Sequence, residues 1–200
     1  MNDRRFPEWE TFYREQPAEA MPWFYAPLDP DVERALARHA VTGRALDLGT
    51  GPGTQAVALA ERGFDVTASD LSTAAIDQAR ARSDARLAVS FVVDDITQSA
   101  LEGPFELVLD RGCFHVLAPE QRTGYAQTLA RLVAPGGLFL LKCFSVEQPG
   151  EVGPYKFTPG DIEALFGAAF EPLSIESSVY HGTFEPAPRA LFCTLQRRRG

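Results

Sequence analysis

Along the chain, segments with the hydrophobic pattern of a β-strand alternate with segments that have the pattern of an α-helix. Short apolar or β-branched runs predict strands at 44–49, 64–70, 87–95, 105–110 and 138–145. Between them, longer stretches with helical spacing predict helices at 54–63, 72–83 and 119–134. Strands separated by helices of this length are typical of a parallel sheet covered on both faces.

Local signals agree with these boundaries. Ser72 or Thr73 is a suitable N-cap, Gly63 a suitable C-terminal cap, and Pro119 belongs near the first turn of its helix. The PGG run at 135–137 is expected to turn the chain into the following strand.

The last part of the chain has a different pattern. A short helix is predicted at 158–170, followed by two strands at 171–181 and 189–197 joined by the proline-rich run GTFEPAP. The pair is expected to complete the sheet in antiparallel fashion. The predicted fold is therefore a doubly wound, Rossmann-like α/β sheet, mostly parallel, with helices on both faces.

Composition predicts one domain over residues 1–200. Within it we expect an aromatic lid and helix at 1–40, a ligand-binding core at 44–144, and a C-terminal helix and strand pair at 145–200. The net charge of -8 argues against nucleic acid or an anionic membrane as partner, since both reward a basic face. We expect a small-molecule partner and a monomer or weak dimer.

The sequence also favours a cytoplasmic location. The first ten residues are too charged for a secretory signal, and the chain has no apolar run of membrane-spanning length. Cys113, Cys143 and Cys193 form no C-x-x-C pair, which indicates reduced thiols and no zinc site.

The run ALDLGTGPG at 45–53 holds the candidate chemistry. Gly49, Gly51 and Gly53 fall in the first strand-to-helix turn, where bare backbone lets a ligand approach. A dinucleotide fingerprint would need glycine or alanine where Thr54 stands. This tighter loop, preceded by Asp47, suits a ligand with a cationic end and no phosphate.

LDLGTGPGTQ resembles the first motif of the class I S-adenosylmethionine-dependent methyltransferases, and later motifs follow in that family's order. The resemblance implies S-adenosylmethionine as cofactor, with S-adenosylhomocysteine as product. It implies that Gly49, Gly51 and Gly53 form the floor under the methionine part of the cofactor. Asp47, below the loop, would help to hold the cationic amino group.

The same resemblance assigns further cofactor contacts. Asp70 would bind the ribose hydroxyls, whose hydrogens a carboxylate accepts, and Leu71 would touch the adenine. Asp95 and Ile96 match the pair that contacts the adenine amino group and ring face. Asp94 is one residue early for that role and is expected to be solvated. For Asp110, two interpretations stay open: it points at the methionine end of the cofactor, or it caps its loop.

The acceptor is indicated by the run FELVLDRGCFHVLAPEQRTGYAQTLARLVAPGGLFLL, which resembles the thiopurine and thiol methyltransferases. GPYKFTPGDIEALFG supports the likeness, which covers roughly residues 45–170. It implies S-methylation of a thiol or thiopurine-like acceptor. The CFHVL run departs from the thiopurine pattern, so halide, tellurite and phenolic oxygen remain alternatives, and tellurite-resistance methyltransferases are similar in size and motifs.

Candidate acceptor-site residues follow the fourth predicted strand. His115 is either a general base for a thiol or a packed loop histidine, and Arg111 either favours a thiolate or pairs with a nearby acid. Cys113 and Phe114 are expected to line the acceptor site, with Cys113 as wall and not nucleophile. We predict no metal site.

Seven aromatic residues precede the first core strand and suggest a lid over the site. Trp23 is predicted on the cofactor and Tyr13 on the acceptor. Aromatic faces attract a sulfonium cation, which makes such a lid chemically suitable. An aromatic helix face packed on the sheet is the alternative for these residues.

Two other classes of protein remain open. A nicotinamide-dependent oxidoreductase shares the doubly wound sheet, although Thr54 breaks its fingerprint. A protein that binds S-adenosylmethionine without catalysis would carry the same motifs.

Overall fold

The computed structural model describes residues 6–151 and 153–199. The helices of this part of the chain are α1 (Trp9–Glu15), α2 (Pro30–His39), α3 (Thr54–Ala60), α4 (Thr73–Arg82), α5 (Arg122–Leu132) and α6 (Pro159–Phe166). The strands are β1 (Arg44–Leu48), β2 (Asp65–Asp70), β3 (Val89–Val93), β4 (Phe105–Arg111), β5 (Val133–Ser145), β6 (Lys156–Phe157), β7 (Phe170–Val179) and β8 (Arg189–Arg197).

The strands form one sheet in the order β3-β2-β1-β4-β5-β8-β7, with β6 paired to the end of β5. Strands β1 to β5 run parallel, and β8 is antiparallel to both β5 and β7. The strand order reverses between β1 and β4, which is where a doubly wound sheet opens a crevice for ligand. The predicted fold, including its antiparallel C-terminal pair, is confirmed.

Buried apolar side chains cover both faces of the sheet. On β1, Leu46 and Leu48 belong to the cluster under α5 and α6, whereas Ala45 belongs to the cluster under α2 and α3. This alternation follows from the two-residue period of a strand, which sends successive side chains to opposite faces. Burial on both faces explains why β1 and β4 are almost continuously apolar in sequence.

The PGG run does not make the expected turn. It lies within β5, where Gly136 has a φ of 81° and the pairing with β4 shifts register between Phe105 and Leu107. A Cβ at Gly137 would lie 3.0 Å from the backbone oxygens of Ala134 and Glu106. The glycines therefore accommodate an irregularity of the strand pair, and the predicted turn is wrong.

The N-terminal helix α1 docks on α4. The Glu10 carboxylate accepts hydrogen bonds from Ser72 Oγ at 2.8 Å and from the backbone N–H of Ala74 at 3.1 Å. Gln78 Nε2 donates to the backbone oxygen of Gln16 at 3.1 Å. The first segment of the chain is thus hydrogen-bonded to the helix that follows β2.

Candidate active site

A cleft with a cavity volume of about 1100 Å³ opens at the carboxyl ends of the parallel strands. We call one side the β1–β3 half; it is lined by Leu48, Gly49, Ser69, Asp70, Leu71, Asp94, Asp95, Ile96 and Thr97. We call the other side the β4–β5 half; it is lined by residues after β4, by Phe144 and the loop beyond β5, and by the segment between β7 and β8. Aromatic side chains from the N-terminal segment also line the cleft.

The glycine loop after β1 needs bare backbone at two positions. Gly49 and Gly51 have φ values of 65° and 51°, which favour glycine. A Cβ at Gly49 would lie 2.7 Å from Cys113 Cβ, and one at Gly51 would lie 2.7 Å from the Tyr13 hydroxyl. The loop is therefore held tightly between the end of β4 and the N-terminal segment.

Gly53 serves a different purpose from the one expected. It is the N-cap of α3 with a φ of 78°, and a Cβ there would lie 2.8 Å from Ala79 Cβ on α4. It is not among the described residues that line the cleft. Helix packing and backbone conformation account for this glycine, so its expected place in the ligand floor is corrected.

Asp47 lies below the glycine loop, fully buried. Its Oδ2 accepts a hydrogen bond from Thr50 Oγ1 at 2.6 Å, and it lines a small cavity together with Tyr13 and Trp23. Burial raises the pKa of Asp47 to about 6, although the Thr50 hydrogen bond opposes the shift. The carboxylate thus titrates near neutral pH beside the loop.

Asp70 ends β2 and faces the cleft. Its Oδ2 accepts from the Gly51 N–H at 2.8 Å and its Oδ1 from the Ser72 N–H at 2.9 Å. Burial raises the pKa of this carboxyl, and the backbone hydrogen bonds counter the effect. Each carboxylate oxygen has a second lone pair for a ligand hydroxyl. Next to it, Leu71 is 58% exposed on the cleft wall.

Of the two acids after β3, Asp94 differs from expectation. Asp95 Oδ1 accepts from both the N–H and the hydroxyl of Thr97, at 2.9 and 2.7 Å, and Ile96 is buried beside it. Asp94, expected to be solvated, is half-buried in the cleft wall. Its Oδ1 accepts from the Ala100 N–H at 3.0 Å, and its buried Oδ2 has no hydrogen-bond partner among the described residues. The solvated assignment is corrected, because an unpaired buried oxygen is costly without a ligand.

Asp110 caps its own loop. Its oxygens accept hydrogen bonds from the N–H groups of Gly112, Cys113 and Phe114 at 2.8–2.9 Å and from the Tyr125 hydroxyl at 2.5 Å. Burial raises its pKa to about 6. It is absent from the described cleft lining. Of the two open interpretations, the structure favours the cap.

Arg111 is an ion-pair residue. Its Nε lies 2.8 Å from Asp29 Oδ2, and its remaining nitrogens donate to the backbone oxygens of Trp23, at 3.1 Å, and His181. Three of its five N–H donors are used in this way and its charge is paired with Asp29, so the structure favours the ion pair of the two interpretations open for Arg111. It ties the end of β4 to the N-terminal segment and to the segment after β7.

A buried lysine missed by sequence reasoning completes this network. Lys142 on β5 is fully buried, with Nζ 2.7 Å from Asp29 Oδ1 and 2.7 Å from Asp31 Oδ2. Burial alone would raise the pKa of Asp29, but Lys142 and Arg111 outweigh it and hold that pKa below its usual value. The available signals were a lysine inside the apolar run LFLLKCF and two aspartates flanking Pro30.

His115 is a poor candidate for the expected base. It lies in a short 3₁₀ turn (Phe114–Val116) and lines the cleft, but only 7% of it is exposed. Burial, with a smaller contribution from Arg111, lowers its pKa to about 3. Its Nδ1 accepts a hydrogen bond from the Phe144 N–H at 3.3 Å. Of the two interpretations open for His115, its burial and its accepting Nδ1 favour the packed loop histidine over the base.

The neighbours of His115 point in opposite directions. Cys113 is half-buried in the cleft wall, and burial raises the pKa of its thiol, as expected for a wall residue and not a nucleophile. Phe114 is fully buried in the core, with ring centroids 4.6 Å from Phe157 and 5.5 Å from Phe166. The expected substrate contact of Phe114 is therefore wrong, because its side chain points away from the cleft.

The N-terminal aromatic residues line the cleft and pack together. Tyr13 and Trp23 both line it, and the Trp23 ring lies 5.6 Å from Phe12 and 5.9 Å from Trp9. Gln55 on α3, which sequence reasoning missed, donates to the backbone oxygens of Tyr25 and Pro27 and accepts from the N–H of Asp29. The structure shows packing for this cluster, and its role as a lid stays a prediction.

The described residues contain no cluster of three or more histidine, cysteine, aspartate or glutamate side chains arranged to hold a metal ion. Among these residues, no helix has the length and apolar character needed to cross a membrane.

Comparison with known proteins agrees with the geometry. Residues 45–137 match the family model described as a methyltransferase domain. The chain is 32% identical over 165 residues to the 2-heptyl-1-hydroxyquinolin-4(1H)-one methyltransferase of Mycobacteroides abscessus, covering 78% of this chain and 73% of that protein. It is 27% identical to probable thiol methyltransferase 2 of Arabidopsis thaliana, covering 84% and 75% respectively.

A solved structure is also similar over almost the whole chain. It comes from work on the conversion of a disulfide bond into a thioacetal group during echinomycin biosynthesis, with a TM-score of 0.81, 25% identity, and 96% of this chain and 92% of that chain covered. The chain belongs to the S-adenosylmethionine-dependent methyltransferases. It is an enzyme that uses S-adenosylmethionine to methylate a small molecule.

Proposed function

We propose that the enzyme methylates the sulfur of an aromatic or heteroaromatic thiol, a thiopurine-like acceptor that ionises without help from the protein. The observation that carries this proposal is the buried, neutral His115. It is the only histidine among the described residues lining the cleft, and burial lowers its pKa to about 3.

The β1–β3 half fits the cofactor. Bare backbone at Gly49 and Gly51, lone pairs on Asp70, and the unpartnered Oδ2 of Asp94 are the features that a nucleoside with hydroxyl and amino groups would satisfy. We assign the ribose to Asp70, the amino-acid end to the loop above Asp47, and the adenine to Leu71, Ile96 and the two acids after β3. When bound, S-adenosylmethionine supplies a methyl group on a cationic sulfur.

Methyl transfer from a sulfonium is an in-line displacement that depends on alignment and on exclusion of water. A thiol reacts as its thiolate, and an ordinary thiol has a pKa near 8.5. Because the described residues of the β4–β5 half include no histidine able to take that proton, an acceptor whose thiol is acidic has an advantage. Aromatic thiols meet this condition, since the ring delocalises the charge of the thiolate.

The lining of the β4–β5 half suits such a ring. Phe144 and Tyr180 form an aromatic wall with ring centroids 5.2 Å apart, and Pro149, Pro154 and Phe184 add apolar surface. A cleft of about 1100 Å³ exceeds the range of roughly 300–1000 Å³ common for small-molecule sites, which leaves room for an acceptor beside the cofactor. This favours an aromatic acceptor over a halide or tellurite.

The chain's own residues align the reaction and keep water out. The aromatic cluster around Trp23 covers the glycine loop. Arg111 holds the backbone at Trp23 and His181, on two sides of the cleft, through hydrogen bonds. Cys113 and Gly112 form the wall between the two halves, where the acceptor sulfur would meet the methyl group.

The test is an acceptor series with labelled S-adenosylmethionine. Thiophenol and benzyl mercaptan differ by one methylene but strongly in thiol acidity. At pH 7 we expect kcat/KM for thiophenol to exceed that for benzyl mercaptan by at least tenfold. The advantage should shrink as pH approaches the pKa of the alkyl thiol. Equal rates at pH 7 would show that the enzyme removes the proton itself and would contradict the proposal.

A second acceptor class is favoured by one finding. The relative from Mycobacteroides abscessus is named for an acceptor with an N-hydroxyl group on an aromatic heterocycle. Such a hydroxyl is also acidic and would equally need no base. Including N-hydroxyquinolones in the series separates the two acceptor classes. If the enzyme methylates the hydroxyl acceptor and no aromatic thiol, the methylated atom is oxygen and not the proposed sulfur.

A further inference from the structure

His115 is held rigidly against the β4–β5 half. Its ring centroid lies 5.0 Å from that of Phe144 and 5.5 Å from that of Tyr180. Its backbone oxygen accepts a hydrogen bond from the Tyr155 N–H at 2.8 Å. The ring therefore packs against Phe144 and Tyr180, and its backbone is hydrogen-bonded to Tyr155.

Hydrogen bonding determines where the imidazole carries its proton. Nδ1 accepts from the Phe144 N–H at 3.3 Å, so it presents a lone pair there. A neutral imidazole with an accepting Nδ1 carries its hydrogen on Nε2. The low pKa caused by burial keeps the ring in this neutral form at physiological pH. His115 thus presents a fixed N–H donor.

The described residues offer Nε2 no hydrogen-bond partner, although the side chain lines the cleft. Nε2 would lie 3.3 Å from a Cβ at Gly112, a residue with a φ of 115°. Glycine at 112 therefore leaves the approach to Nε2 open. The nearby Tyr180 hydroxyl donates to the Lys142 oxygen and makes no hydrogen bond with Nε2.

We propose that His115 Nε2–H is a specificity-determining donor for the acceptor. It binds a lone pair on an atom next to the sulfur that is methylated, such as a ring nitrogen. The inference rests on the proposed function and narrows it to heteroaromatic thiolates with a nitrogen adjacent to the C–S carbon. No proton is transferred: the hydrogen stays on Nε2 while the sulfur attacks.

The experiment compares two bicyclic thiols at pH 8, where both are thiolates: 2-mercaptobenzothiazole, with a ring nitrogen beside the sulfur, and 2-naphthalenethiol, without one. His115→Phe fills the site but removes the donor. We expect KM for 2-mercaptobenzothiazole to rise roughly 10- to 100-fold, as for loss of a buried hydrogen-bond partner. KM for 2-naphthalenethiol should change less than threefold.

His115→Gln is the matched variant, because its amide N–H reaches a position near Nε2. It should recover at least part of the loss on 2-mercaptobenzothiazole, and KM for 2-naphthalenethiol should again change less than threefold. Binding of the two thiolates to the complex with S-adenosylhomocysteine, measured by calorimetry, should show the same difference without turnover. Affinity for S-adenosylhomocysteine itself should be unchanged in both variants.

Equal losses on both thiols would overturn the inference, since they would show that His115 only packs the wall. A loss on 2-naphthalenethiol that grows as pH falls would overturn it in favour of a base. If wild-type enzyme methylates neither thiol, the proposed function fails. Selective binding of 2-mercaptobenzothiazole to the S-adenosylhomocysteine complex would still support the donor in that case, and its absence would refute it.

Discussion

Replacing Asp29 by asparagine should weaken the buried ion-pair network without removing its helix cap. Asp29 is fully buried, and its carboxylate meets Lys142 Nζ at 2.7 Å and Arg111 Nε at 2.8 Å. The same side chain accepts from the Asp31 N–H at 3.0 Å as N-cap of α2. Asparagine is also a good N-cap, so Asp29→Asn isolates the loss of charge.

The expected loss is about 3 kcal/mol. Removing one partner from a buried ion pair costs about 3–5 kcal/mol, because the other charge stays buried without compensation. We place this variant at the lower end, since Lys142 keeps Asp31 at 2.7 Å. For a chain of this size, each kcal/mol lowers Tm by about 2–4 °C, so Tm should fall by roughly 6–12 °C.

Urea unfolding followed by circular dichroism measures the loss as a lower midpoint at unchanged slope. Glu33→Ala is the control: it removes the exposed pair of Glu33 with Arg62, which lies at 2.7 Å and should be worth about 0–1 kcal/mol. If Asp29→Asn costs no more than this control, the buried network does not stabilise the fold as reasoned.

The difference between wild type and variant should also depend on pH with a definite sign. Lys142 and Arg111 hold the pKa of Asp29 below its usual value, so its contribution is present above the unfolded pKa of about 3.9. It should be lost as pH falls through the lower folded pKa. A difference that instead vanished between pH 6 and 8 would point to another group.

The remaining predictions concern ligand binding. Asp70→Ala should weaken S-adenosylmethionine binding by about 1.5–3 kcal/mol in calorimetry, the worth of a hydrogen bond to a charged group, and unchanged affinity would remove the ribose assignment. Burial raises the pKa of Asp47 to about 6, so cofactor affinity should fall roughly tenfold from pH 7.5 to pH 5 as the carboxylate is protonated. This pH dependence should be absent in Asp47→Asn. A flat wild-type profile would contradict the proposed contact between Asp47 and the amino group of the cofactor. Trp23→Ala should open the N-terminal aromatic cluster and lower kcat/KM, while the Tm of the protein stays unchanged. Full activity would show that Trp23 is a packing residue only.

Much of the β1–β3 half could be predicted from the sequence because the signals that define it are local. A strand, a glycine turn and an acid at the end of the next strand define positions along one short stretch of chain. Gly49, Gly51 and Asp70 meet in the structure as that order requires, with the Gly51 N–H bonded to Asp70. Their cofactor contacts themselves remain predictions.

The residues that sequence reasoning misplaced depend on distant parts of the chain. Phe114 and His115 are adjacent, yet one enters the core and the other the cleft wall, because a 3₁₀ turn separates their directions. Arg111 was assigned to the acceptor, but its partner Asp29 lies 82 residues earlier and was not visible as such. In the sequence, Gly53 cannot be told apart from Gly49 and Gly51, and only the packing of α3 on α4 distinguishes it.

The sequence by itself determined the order of strands and helices, the class of sheet and the glycine loop, since periodicity and turn chemistry act between near neighbours. The tertiary structure alone decided the protonation chemistry of the cleft. Whether His115 is a base depends on its burial, and whether Lys142 on β5 is tolerated in the core depends on Asp29 and Asp31 at the start of α2. Desolvation and ion pairing act through space, so no local pattern reveals them.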